Sequence, residues 1–335
     1  MAALAPSVAE VRAAVRRALT GLPSGGTVLV ACSGGADSMA LAAATAFVAP
    51  RLGLRPGLVS VDHGLQPGSA DRAAEVAKWA ADAGLHPAQA VGVTVAGRPG
   101  GPEAAAREAR YQALVDCARE HRAVALLTGH TRDDQAETVL LALARGAGPR
   151  GLAGMPERRE LAGVPLLRPL LDVGREQTRA ACVALGLTPW DDPHNTDPAY
   201  ARARVRHDLL PELVRVLGPG VVANLARTAR LVAEDAAALD DLAVAALAAA
   251  RVADGLAVPA LTDLPPAVRS RVLHAWAREL GAPPAALAHG HVLALDALVT
   301  AWHGQGPAHL PGGLLVARRA NRLVALGPGT GTDRA

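Results

Sequence analysis

The feature that most constrains this chain is Ser33-Gly34-Gly35-Ala36-Asp37-Ser38, set directly between an apolar run and a helical segment. The run before it, Thr27-Val28-Leu29-Val30-Ala31, is continuous, β-branched and bounded by glycine, which predicts a buried strand. The pattern after it predicts a helix from Asp37 to about Val48. Two glycines let a backbone approach an anion closely, and a helix start offers unpaired N–H groups and a positive dipole end. Ser33 and Ser38 add hydroxyl donors. Asp37 beside a phosphate cluster makes electrostatic sense only with a divalent cation between them. A capped strand–helix turn is the ordinary alternative, but SGGxDS is longer and more constrained than a lone GxGxxG. No GxxxxGK[ST] occurs, so the common P-loop with its phosphate lysine is excluded.

The alternation continues. An opening helix over about 7–20 precedes the first strand. Strands are expected at Gly57–Val61, near Ala90–Val95 and at Ala123–Leu127, with helices at Ser69–Ala83, Pro102–Glu120 and about Asp134–Ala144. Strands that are apolar throughout, spaced by helices, predict an α/β fold with a parallel sheet covered on both faces. Ligands of such sheets bind outside the carboxyl ends of the strands, so the segments after residues 31, 61 and 127 draw attention. Residues 145–200 read as loops with one helix near Arg175–Leu185. After Gly218-Pro219-Gly220 comes a long alanine-rich helix, about 221–251. Helices near 265–280 and 285–302 follow, then a closing hairpin around Ala320-Asn321. The expected organisation is a catalytic domain over 1–217, a helical linker over 218–253, and a smaller, mainly helical C-terminal domain over 254–330 that ends in the β-hairpin.

Composition narrows the class. At 335 residues, two domains are the default. No run reaches the roughly 18 uninterrupted apolar residues of a membrane span. The amphipathic N-terminus lacks the apolar core and cleavage site of a signal peptide. Cys32, Cys117 and Cys182 are odd in number and far apart, forming neither a disulfide framework nor a CxxC clamp. These features point to the cytosol. Aromatic residues are 2% of the chain, which argues against a single-strand binder built from stacking platforms. Residues 1–200 carry 20 basic and 20 acidic side chains, while residues 201–335 carry 14 and 11, so the whole excess of three lies in the second part. Between Arg202 and Arg230 six arginines face only Asp208 and Glu212. Such a modest excess suits a polyanion touched locally and does not suit coating of DNA.

The Ser33–Ser38 loop resembles the pyrophosphate-binding (PP) loop of the ATP pyrophosphatase superfamily. The resemblance extends to its tRNA(Ile)-lysidine synthetase branch through several segments. Val61-Asp62-His63-Gly64-Leu65 closes the second strand. Arg107, Arg110 and Tyr111 look like the branch's ARxxRY helix. Gly129-His130-Thr131-Arg132-Asp133-Asp134-Gln135-Ala136-Glu137-Thr138 is similar to its most distinctive block. Asn195 with Arg202-Ala203-Arg204-Val205-Arg206 and Leu209-Leu210-Pro211 matches its closing motif, with Ala203 where the family usually has Asn. Together these span about residues 27–215. The resemblance implies an adenine-nucleotide α-hydrolase-like PP-loop domain over 1–217 and a tRNA- or substrate-binding role for 254–330. It implies ATP and Mg²⁺ as cofactors. It further implies an enzyme that joins free L-lysine to C2 of the wobble cytidine in tRNA(Ile) with a CAU anticodon, through an adenylated tRNA, releasing AMP and pyrophosphate. A homodimer is compatible with it.

Freeing a lysine amine of pKa about 10.4 at neutral pH costs roughly 4–5 kcal/mol, so a base or a desolvated pocket must offset it. Asp133, Asp134 and Glu137 have the spacing to share one face of a helix and to receive that amine, although acids in a first turn also stabilise any helix. Three carboxylates together repel unless they meet a cation, which lysine or Mg²⁺ supplies. The expected catalytic set is Asp37, Asp134, Glu137, Arg107 and His130, with Asp37 as the metal ligand. The nucleotide falls to Ser33, Gly34, Gly35, Ala36, Asp37, Ser38 and His63. His130 reads as a general acid or base, a phosphate contact or a satisfied loop histidine, and His63 as adenine-proximal or structural. Arg107 or Arg110 contacts phosphate or the leaving AMP, or both line a solvated helix face. Arg202, Arg204 and Arg206 read as tRNA backbone contacts. Two rivals stand beside this reading. A tRNA thiolation enzyme of the 2-thiocytidine type is opposed by the missing cysteine pair, and a non-catalytic nucleotide-binding module is opposed by the intact loop and acid set.

Overall fold

A computed structural model of the chain describes residues 4–62, 64, 68–94, 102–190 and 197–326. Its elements run α1 (Pro6–Leu19), β1 (Thr27–Ala31), α2 (Ala36–Val48), β2 (Arg55–Asp62), α3 (Ser69–Asp82), β3 (Ala88–Gly92), α4 (Pro102–Glu120), β4 (Ala123–Thr128), α5 (Arg132–Ala144) and α6 (Gly148–Leu152). They continue with β5 (Arg158–Leu161), β6 (Val164–Leu167), α7 (Arg175–Ala184), α8 (Ala201–Arg204), a π-helical turn (Val205–Leu209), α9 (Leu210–Leu217) and α10 (Val221–Ala250). The chain closes with β7 (Arg251–Val252), β8 (Gly255–Ala257), α11 (Val258–Thr262), α12 (Pro266–Glu279), α13 (His289–Thr300), β9 (Ala308–Leu310), β10 (Leu314–Arg319) and β11 (Arg322–Leu326).

Two compact units emerge, over 1–233 and 234–335. In the first, six strands form a sheet of order β3-β2-β1-β4-β6-β5, parallel except for β5. Alternation along β1 decides which layer each residue joins. Val28 and Val30 are fully buried against residues of α1, α2 and α7 on one face, and Leu29 is buried against Tyr111, Leu114 and Val115 of α4 on the other. Each such side chain contributes about 1.5–3 kcal/mol, so a one-residue slip of β1 would forfeit several. The sheet is therefore fixed in register, and with it the positions of the loops that leave its carboxyl edge.

Residues 145–200 hold more regular structure than loops and one helix. α6 is present, and β5 and β6 form a hairpin whose second strand pairs in parallel with β4. Ala162 and Gly163, with φ of +48° and +85°, make the tight turn between them, as a two-residue hairpin with right-handed twist demands. Four-residue strands carry too little periodicity to stand out in the sequence. In the second unit the closing hairpin is part of a five-stranded antiparallel sheet, order β7-β8-β11-β10-β9. Its core joins Leu256, Val316 and Leu323 to Leu261, Val272, Leu273 and Leu295 of the surrounding helices. Residues 218–253, expected as a linker, are nearly all one continuous helix, α10, shared between the two units. Among the described residues no helix is long and apolar enough to cross a membrane.

Candidate active site

The loop between β1 and α2 has the backbone form that an anion cradle needs. Gly34 has φ +84°, a conformation that L side chains rarely adopt, and it turns the chain sharply out of the strand. Gly35 is the N-cap of α2 and makes no side-chain cap bond, so the first N–H groups of the helix are left uncapped by it. Ser38 closes the loop on itself: its hydroxyl donates to the Gly35 carbonyl at 2.9 Å and accepts from the Ser33 N–H at 3.2 Å. Gly129, at the end of the neighbouring β4, lies against this turn. A Cβ there would come within 3.0 Å of the Asp37 carbonyl carbon and the Ser38 nitrogen. The glycine thus lets two strand ends share one crevice.

Asp37 projects from the first turn of α2. It accepts a hydrogen bond from the Thr178 hydroxyl and lies 3.7 Å from Arg175 Nε. Burial raises its pKa from the ordinary 3.8 to about 6, against the pull of Thr178, Arg175 and Arg206 and with a further push from Asp134. Among the described residues no group of three or more His, Cys, Asp or Glu is arranged to hold a metal. A lone carboxylate beside a phosphate cradle still suits Mg²⁺, which keeps its waters and shares itself between one or two carboxylates and substrate phosphates.

The carboxylates on α5 form the second half of the site. Thr131 caps the helix through a reciprocal box: its backbone N–H donates to Asp134 Oδ2 at 2.8 Å, and its hydroxyl accepts from the Asp134 N–H. This fixes Asp134 with its other oxygen, Oδ1, turned to three arginines, Arg206 at 3.0 Å, Arg175 at 3.2 Å and Arg202 at 3.3 Å. Glu137, wholly buried, meets the same three: Arg206 Nε at 2.7 Å, Arg202 Nε at 2.8 Å and Arg175 Nη2 at 3.2 Å. Burial opposes the charge on Asp134, but Arg175, Arg202, the Thr131 N–H and Arg206 outweigh it and lower its pKa. Arg175 in turn is raised, its own burial overcome by Asp134, Glu137, Asp37 and Asp133.

The cation expected among these acids comes first from the chain itself. Asp134 and Glu137 do share a face. Asp133 does not join them: its carboxylate accepts from the Arg175 backbone N–H at 2.8 Å and caps α7, which has no side-chain cap of its own. Arg202 and Arg206, expected as outward phosphate contacts, turn inward as counter-ions of Asp134 and Glu137. They are one turn apart across the junction of α8 and the π-helical turn, on the side facing α5. Arg204 is exposed and donates to the Pro198 and Ala199 carbonyls. Ala203, in the position where Asn was expected, is buried. Arg175 and Thr178, absent from the expected set, prove central. Their only sequence signal is a place at the start of a helix following a strand edge.

His130 sits at the end of β4 with Nδ1 2.9 Å from the Thr128 hydroxyl. Burial lowers its pKa from 6.5 to about 4; Asp134 resists, and Arg168, Arg202 and Arg110 push the same way as burial. The imidazole is therefore neutral at pH 7 and suited to donate or accept one hydrogen bond. Arg107 is exposed beside Tyr111. His63 and Asn195 lie outside the described residues. A groove of about 640 Å³ between β3 and α4 is lined by Gln89, Gln112, Asp116 and Glu120 among others and by no basic residue, which makes it unsuited to phosphate.

Residues 9–213 match the family model described as the PP-loop domain, and residues 256–324 match the one described as the TilS substrate binding domain. A tRNA(Ile)-lysidine synthase of Salinispora arenicola is 72% identical over 98% of this chain and 99% of its own length. The one from Thermobifida fusca is 57% identical over 95% of each chain. Among solved structures, the U34-tRNA thiolase NcsA from Methanococcus maripaludis with its [4Fe-4S] cluster shares the fold at a TM-score of 0.55 and 19% identity, over 68% of this chain and 80% of that one. A PP-loop crevice followed by a TilS substrate binding domain, in relatives matched from end to end, places the chain in the tRNA(Ile)-lysidine synthase family.

Proposed function

We propose that this protein ligates lysine to C2 of the wobble cytidine of tRNA(Ile) bearing a CAU anticodon, converting ATP to AMP and pyrophosphate. The observation that carries the reading is the shared crevice: the glycine loop and the Asp134–Glu137 pair stand at adjacent strand ends and are joined by Arg175. The reaction needs both halves. In the first step the C2 oxygen attacks the α-phosphorus of ATP and pyrophosphate leaves. In the second the lysine ε-amine attacks C2, and AMP departs with that oxygen.

The loop from Ser33 to Ser38 and the start of α2 hold the polyphosphate tail, and Asp37 would hold Mg²⁺, which neutralises phosphate charge when bound. Asp134 and Glu137 receive the lysine, exchanging part of their arginine contacts for its ammonium, with Asp133 at the rim. A carboxylate here takes the proton that the amine must lose. His130, neutral, hydrogen-bonds near the base or the phosphate. Sulfur transfer on the same fold is disfavoured by the thiols. Cys32, Cys117 and Cys182 are all buried, and burial raises each, Cys182 to about 11.

The deciding experiment supplies ATP, Mg²⁺ and labelled lysine with two transcripts, tRNA(Ile) with a CAU anticodon and the methionine tRNA. Label in the first alone is expected. Label in neither, with ATP consumed, would remove the ligase reading.

A further inference from the structure

A second cluster lies at the carboxyl edge of the sheet and takes no part in the acid–arginine network, apart from its proximity to Arg202. Tyr111 on α4 is ringed by guanidinium groups: Arg107, Arg159 and Arg110 stand 5.1, 5.2 and 5.5 Å from its ring centroid. Arg168, which directly follows β6, is close enough to interact with the same phenol. No carboxylate among the described residues pairs with any of the four. Arg168 is 4% exposed, and its Nε is buried with no hydrogen-bond partner, as is the Nε of Arg159. Burial lowers the pKa of Arg110 and Arg168, and their neighbours Arg107 and Arg159 add to the effect. Arg168 is the buried member; it donates to the Pro156 carbonyl at 2.6 Å but has no carboxylate beside it, a cost that an arriving anion would offset.

The place limits what that anion is. α4 covers the face of the sheet that carries Leu29, Val59 and Leu126, whereas α2, with the glycine loop, covers the face of Val28 and Val30. The polyphosphate cradle and the arginine ring are thus on opposite faces of the sheet, and His130, just after β4, is near enough to Arg168 and Arg110 to feel their charge. Arg159 is on β5, an edge strand of the sheet, and is only partly buried, so a ligand too long for the crevice can meet it. We propose that Arg107, Arg110, Arg159 and Arg168 form a site for backbone phosphate of the RNA strand that delivers the reacting nucleotide. Resting on the tRNA reading above, it names the residues that hold the strand in place.

The test measures binding of a tRNA transcript with a CAU anticodon to the full chain by fluorescence anisotropy from about 50 to 300 mM salt. ATP binding is measured separately without RNA. Arg159→Ala and Arg168→Ala are each expected to weaken RNA binding about five- to tenfold and to reduce the slope of log K against log salt by about one, with ATP affinity retained. Arg159→Lys, keeping the charge, should restore the slope. Arg159 is only partly buried, so it decides the matter if Arg168→Ala fails to fold. An unchanged slope in Arg159→Ala would overturn the proposal. So would an equal loss of ATP affinity, which would give the ring to the nucleotide's phosphates. A wild-type chain that binds ATP and no tRNA would instead overturn the function proposed above, and this site with it.

Discussion

Arg175 stands 3.7 Å from Asp37, and that side chain ties the glycine-loop half of the crevice to the acid pair on α5. The coupling is rigid on both sides. The α5 N-terminus is tied to residue 173 by the Arg132 N–H, and the α7 N-terminus is capped by Asp133. Arg175→Ala is expected to lower kcat/KM for lysine incorporation about tenfold to a hundredfold, because misplacing a reacting group by an ångström has that scale of effect. Arg175→Lys should not rescue it, since one ammonium cannot serve three carboxylates in fixed directions. A double-mutant cycle with Asp37→Asn, read in urea unfolding, measures the link, with an expected coupling of about 0.5–3 kcal/mol. Additive effects would show that the two halves act independently.

Glu137 is expected to dominate stability among the site residues. It has no exposed surface and pairs with three arginines. Removing it leaves those partly buried charges with Asp134 and, for Arg175, Asp37 as their remaining carboxylates. Glu137→Ala should cost about 3–5 kcal/mol in urea unfolding, the scale for breaking a buried ion pair from one side. Glu137→Gln, which keeps the shape and two hydrogen-bonding atoms, should cost less. Both should abolish lysine incorporation. A loss under about 1 kcal/mol for the alanine variant would mean that the arginines find water instead.

The sequence made the first half of this site readable because its signals are local. A buried strand, two glycines and a helix start are consecutive, and Asp134 and Glu137 share a face through helical spacing alone. The partners were not readable. Arg175, Arg202 and Arg206 are 38 to 72 positions from the α5 carboxylates they meet, and their placement depends on a sheet edge and a π-helical turn rather than on any periodic pattern. Hence Arg202, Arg204 and Arg206 read together as tRNA backbone contacts, whereas Arg202 and Arg206 are counter-ions of the α5 carboxylates. The β5–β6 hairpin escaped for a different reason: two four-residue strands say almost nothing until a neighbouring strand end receives them.

The cysteines separate ligase from thiolase chemistry. Cys117→Ala and Cys182→Ala remove small buried side chains and no reactive group, since burial holds both thiols protonated at neutral pH. Each variant should keep its lysine-incorporation rate, with only a modest drop in melting temperature. Loss of turnover in a variant that stays folded would reopen a role for sulfur.

The pH dependence of stability should hide two opposed slopes. Asp37 has a folded pKa near 6 against an ordinary 3.8, so its protonated form favours folding; that contribution is full below 3.8 and is lost as pH rises through 6. His130 has a folded pKa near 4 against 6.5, so its neutral form favours folding; its contribution is full above 6.5 and is lost as pH falls through 4. Each amounts to about 1–3 kcal/mol, and the windows nearly coincide, so the unliganded wild type should be almost flat between them. Asp37→Asn removes one slope. This variant should be more stable than wild type at pH 7, should lose stability steadily from pH 6.5 to 4, and should form no AMP. His130→Gln should show the reverse trend, gaining stability as pH falls from 6 to 4. Thermal unfolding across that range decides it: parallel curves for wild type and both variants would show that neither group changes its protonation on folding.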